Sequence, residues 1–206
     1  MLNQEQIKKN HSSKWPVIWY IYNKNQKFYK GVMFLTSSVF SLFIIITSIV
    51  LEVDFFRLIC EITDLYISII PNLLGFNLGA YALLIGLTSS TFLPHLTKGI
   101  DKDVTFFQKA SSVFAFCIAL QALTLIFAFV IKQIVLLQEL SDKAHIFLNN
   151  DIISLINVSI FFILNFIGIY SILLILMLVK NIFGLSQTAN FFSGVENIKS
   201  TKNNKE

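Results

Sequence analysis

The side chains able to do acid–base, nucleophilic or metal chemistry are few in this chain and badly placed to cooperate. His11, His95 and His145 stand far apart and offer no metal-ligand spacing. Cys60 and Cys117 form no CxxC pair and no disulfide framework, so they read as ordinary buried or interfacial thiols. The twelve Asp and Glu residues all fall outside the long apolar stretches. No glycine-rich phosphate loop and no nucleophile–base pairing is found. The sequence therefore offers no catalytic, cofactor-binding or metal-binding residues, and the chain is expected not to be an enzyme.

The chemistry that remains is neutral hydrogen bonding combined with close packing. Asn77, Gln121, Asn157 and Asn165 stand inside otherwise apolar stretches, and Ser89 and Ser90 lie near the end of one. Carboxamides in such places can bond one helix to another or line a wet path. Small residues recur near them. Gly75, Gly79, Ala82 and Gly86 follow one helical face, and Gly75 with Gly79 makes a GxxxG. Ser112, Ala115, Ala119 and Ala122 make a second seam, Ser37, Ser41 and Ser48 a third, and Gly168 accompanies the two later asparagines. Lipid supplies no hydrophobic force between helices, so seams of small residues are what let backbones approach. They serve either to pack this chain's own helices or to face a neighbouring subunit or a pore. On the first use, Gly79→Leu is expected to disrupt packing far more than a bulky change at Leu84.

These residues need elements that can hold them in lipid. The chain is 55% hydrophobic and only 14% charged, against about 25% charge in a soluble domain. Four stretches are long and apolar enough to cross a bilayer as helices: about 31–51, 71–92, 110–131 and 152–179. Residues 65–96 contain no Asp, Glu, Lys or Arg at all, which is more than one crossing needs. Before Pro71, residues Phe55, Leu58, Ile59, Ile62, Leu65, Tyr66 and Ile69 recur at helical spacing between Asp54, Arg57, Glu61 and Asp64. This pattern predicts a short amphipathic interfacial helix, with Pro71 opening the second span. The fold class expected is an all-α integral membrane protein, a four-transmembrane-helix bundle. A basic, aromatic juxtamembrane segment (1–30) precedes the membrane domain (31–180), and a tail (181–206) follows, lying on the leaflet over 181–192 and disordered after Glu196.

Thirteen of the sixteen basic residues fall in the N-terminal segment, the loop between spans two and three, and the tail. The alternate loops hold Arg57, Lys132 and Lys143 together with Glu52, Asp54, Glu61, Asp64, Glu139, Asp142 and Asp151. The positive-inside bias then puts both termini in the cytoplasm. The net charge of +4 is accounted for by topology and points to no nucleic-acid partner. Residues 1–30 are too polar for a cleaved secretory signal, so the first span reads as a retained anchor. Trp15, Trp19, Tyr20, Tyr22, Phe28 and Tyr29 interleave with lysines ahead of it, as an interfacial belt does. Lysine in place of arginine, with abundant Ile, Phe and Asn, suggests an AT-rich bacterial genome and hence the inner membrane.

With uncharged spans, proton-coupled transport lacks its usual relay. The leading expectation is a self-assembling bundle, a homo-oligomer acting as a channel or membrane-perturbing defence-type effector. The alternative is an interaction or immunity protein that binds an operon-encoded membrane partner or a pore-forming toxin without transporting anything. A small-solute uniporter ranks third, because residues 31–96 and 110–179 show no inverted repeat.

Overall fold

A computed structural model describes residues 15–26, 31–86, 99–101, 104–139 and 150–203. The protein is all-α, with five helices among the described residues: α1 (Trp15–Gln26), α2 (Val32–Val50), α3 (Phe55–Gly86), α4 (Phe106–Glu139) and α5 (Asn150–Asn203). The last four are each long and apolar enough to cross a membrane, so this is a multi-pass membrane protein. A two-stranded antiparallel ribbon of β1 (Gly99–Asp101) and β2 (Val104–Thr105) pairs Gly99 with Thr105 immediately before α4.

The chain divides into two compact units. One comprises Phe28–Leu78 and Cys117–Leu174, the other Met1–Lys27, Gly79–Phe116 and Ile175–Glu206. The first unit contains the four-helix bundle. Ile45 of α2, Ile59, Tyr66 and Ile70 of α3, Ala128, Ile131 and Val135 of α4, and Phe161 and Leu164 of α5 make one buried cluster. Apolar side chains on the outer faces, such as Phe43, Ile46, Phe76 and Leu155, are exposed, as they must be where the solvent is lipid.

The local rules are visible at each joint. α2 buries Ser37, Ser41, Ile45 and Ser48, and the Ser37, Ser41 and Ser48 hydroxyls donate to Met33 O, Ser37 O and Ile44 O at 2.7–2.8 Å. A serine satisfied by its own helix in this way acts as a small apolar contact, and the expected serine face is the buried face. The helix closes with Glu52 in the left-handed region (φ 52°), and Val53 N donates to Ser48 O at 3.0 Å. This is a Schellman-type stop. Asp54 Oδ1 then accepts from Phe56 N at 3.0 Å, capping α3.

Three boundaries differ from the sequence reading. α3 does not break at Pro71 but runs unbroken through it, so the amphipathic segment belongs to the same helix as the second span and is not a separate interfacial helix. Proline removes one helix hydrogen bond, from the Ile67 carbonyl. Its ring is exposed, and Tyr66, Ile70 and Asn77 are buried on either side of it, so tertiary packing holds the helix together across the gap. α4 starts before Ala110 because Thr105 and Gln108 form a reciprocal capping box: Gln108 N donates to Thr105 Oγ1 at 3.1 Å, and Thr105 N donates to Gln108 Oε1 at 3.0 Å. α5 continues from the fourth span to Asn203, over residues expected to leave the membrane and lose structure. That segment contains no proline to stop a helix.

A buried amide pair in the bundle

The spanning part of α4 is charge-free from Ala110 to Ile131, and Gln121 sits midway between Lys109 and Lys132, about 17 Å of helix from each. Lys132 Nζ lies 2.8 Å from Asp64 Oδ2 of α3, which marks one edge of the apolar zone on both helices. Between α3 and α4, deep in that zone, Asn77 Nδ2 donates to Gln121 Oε1 at 2.8 Å. Both residues are 0% exposed. Cys117 Sγ, one turn from Gln121, lies 3.7 Å from the same Asn77 nitrogen.

The pair is satisfied on one side only. Asn77 Oδ1 and Gln121 Nε2 are buried without a hydrogen-bond partner. Other buried polar groups of this unit close on their own helices. Thr63 donates to Ile59 O at 2.7 Å, Thr124 to Leu120 O at 2.8 Å, Asn165 Nδ2 to Phe161 O at 3.0 Å and Ser171 to Gly168 O at 2.8 Å. The amide pair thus ties one helix to another through side chains, leaving one acceptor and one donor at the same depth. This is a docking and registering element, with the Cys117 thiol as its polar neighbour. Of the remaining sequence candidates, Asn165 is buried but bonded within α5, and Asn157 is half-buried.

The small-residue seams divide sharply. Ser112 is buried, and Ala115, Ala119 and Ala122 are half-buried, so the α4 seam lies against protein. Gly75, Gly79, Ala82 and Gly86 are exposed, and a Cβ built on any of the three glycines would meet nothing within 4 Å. Among the described residues, Gly75 and Gly79 therefore do not pack this chain's own helices, and the contrast expected between positions 79 and 84 is reversed, since Leu84 is 2% exposed. The small residue the bundle does require is Gly168, where an added Cβ would overlap the Tyr66 ring. Ring contacts complete the bundle: Phe34 packs edge-on against Phe166 (5.1 Å), and Phe55 against Phe161 (5.6 Å).

In the second unit, Tyr81 and Ser111 share a hydrogen bond of 2.8 Å, and Tyr81 stacks on Phe114 at 5.8 Å. Tyr22 of α1 stacks on Phe116 of α4 at 4.0 Å. None of these contacts was legible from spacing, because each joins elements remote in sequence. Ser89, Ser90 and all three histidines lie outside the described residues. No protein family, curated relative or solved structure matches this chain.

Proposed function

We propose that the chain is a non-enzymatic, self-assembling membrane bundle that acts as a channel or membrane-perturbing effector in a bacterial inner membrane, both termini cytoplasmic. The observation that carries this reading is the open α3 face at Gly75 and Gly79. A glycine on a helix surface gains nothing from its own protomer's packing, whereas it permits close approach of a further helix. The uncharged spans support passive conduction or bilayer perturbation over coupled transport, and the half-satisfied amide pair supplies a polar point deep in the bundle.

The same face favours a second reading, in which the helix received is a different membrane protein, as in an immunity or operon-partner role. Native mass measurement of the detergent-solubilised particle separates them. A homo-oligomer that Gly79→Leu reduces to monomer, with current across planar bilayers from the unaltered protein only, supports the first. A monomer that co-purifies with a stoichiometric membrane partner supports the second. A monomer whose mass and bilayer behaviour are the same with Gly79→Leu sinks both.

A further inference from the structure

We infer that α1 is an in-plane helix seated in the headgroup–acyl boundary of an anionic leaflet, held there by α4. The spans place the protein in a bilayer but leave the position of a 12-residue helix open, and the contacts of α1 fix it. Tyr22 is 2% exposed, stacks on Phe116, and has Trp19 within 5.6 Å of the same Phe116 ring. Phe116 lies about 10 Å along α4 from Lys109, the residue at which the charge-free zone begins. Amphipathic helices that bind membrane surfaces bury their apolar face about 5–10 Å into that boundary. The dock therefore puts α1 at the depth an interfacial helix occupies.

The two faces of α1 agree with that depth. Ile21 and Tyr22 are buried, while Trp15, Trp19 and Tyr20 remain 67%, 43% and 51% exposed. Indole and phenol rings are the side chains that partition best to the membrane–water interface. The surrounding sequence supplies charge of the matching sign. Residues 1–30 carry six lysines against one acid, Glu5, which is complementary to anionic headgroups. Tyr22, which the sequence groups with the lipid-facing belt, is instead the residue that anchors the helix to protein.

The chain holds only two tryptophans, both on α1, so intrinsic fluorescence of the full-length protein reads this helix alone. The protein is reconstituted in phosphatidylcholine vesicles with and without phosphatidylglycerol, using lipids brominated near the top or at the middle of the acyl chain. The expected result is blue-shifted emission quenched about twofold or more strongly by the shallow bromine than by the deep one. Phosphatidylglycerol should strengthen that quenching, and added salt should reduce the gain. Trp15→Phe and Trp19→Phe should each retain the pattern. Emission quenched by aqueous iodide and untouched by bromine would place α1 off the membrane and overturn the proposal. Emission insensitive to both quenchers would mean a protein covers the helix, which also overturns it, and quenching independent of lipid charge would remove the anionic leaflet as its partner.

Discussion

At the scale of single residues, the bundle depends on neutral groups whose cost depends on how they are paired. Removing one member of the Asn77–Gln121 pair strands the other amide in a dry interior, whereas replacing both by apolar groups strands neither. Asn77→Leu and Gln121→Leu should each destabilise by about 1 kcal/mol, within the range of interhelical hydrogen bonds in membranes. The double variant should cost less than the two singles together. Thermal inactivation in detergent, read as a double-mutant cycle, checks this, and strict additivity would show that the bond carries no coupling. Gly168→Ala should lower the thermal midpoint, since its methyl meets the Tyr66 ring and overpacking costs about 1–3 kcal/mol. Combining it with Tyr66→Leu should recover part of the loss. Gly79→Ala should leave the midpoint of the monomer unchanged, because that position is open.

At the scale of elements, α3 is the helix on which sequence and structure part. Its patterning is amphipathic before Pro71 and uniformly apolar after, and a proline at such a change of pattern is a sound signal for a boundary. The helix is nevertheless continuous, because Tyr66 and Ile70 pack into the bundle on one side of the proline and Asn77 on the other. Pro71→Ala should therefore stabilise α3 by restoring the bond to Ile67, without changing its length. Circular dichroism of the purified protein, showing equal helix content with a higher unfolding temperature, tests it. Leu84→Ala should destabilise by about 1–3 kcal/mol, the ordinary range for a buried truncation, while Gly79→Leu leaves the protomer folded. The Asp64–Lys132 pair joins α3 to α4 at the edge of the apolar zone, but with Asp64 more than half exposed it contributes at most about 1 kcal/mol. Its use is to fix register.

At the scale of the whole molecule, the topology to be tested is four crossings with both termini on one side. Periplasm-active and cytoplasm-active reporters fused to each end should give the same compartment for both, the cytoplasm on the positive-inside bias. Opposite compartments would require that one of the four apolar helices does not cross. The proposed self-assembly is tested at the same scale: the particle mass should fall with Gly79→Leu while the stability of the protomer holds.

Composition and periodicity were enough to establish that the chain is an all-α membrane protein with four spanning helices. Lipid leaves an unpaired backbone group no partner, so a long uncharged apolar stretch has essentially one conformation open to it. The buried serine face of α2 was legible for a related reason, since identical small residues at helical spacing mark a face whatever lies opposite. Which small or polar residues meet protein was decided only by tertiary structure. Gly75, Gly79 and Gly168 are the same residue type in equally apolar surroundings, and the one that matters for internal packing is the one facing Tyr66. Asn77 and Asn165 likewise differ only in whether a neighbouring helix presents an amide. Helical periodicity defines a face, but the identity of its neighbour rests on contacts between residues far apart in the chain, and no local pattern encodes those.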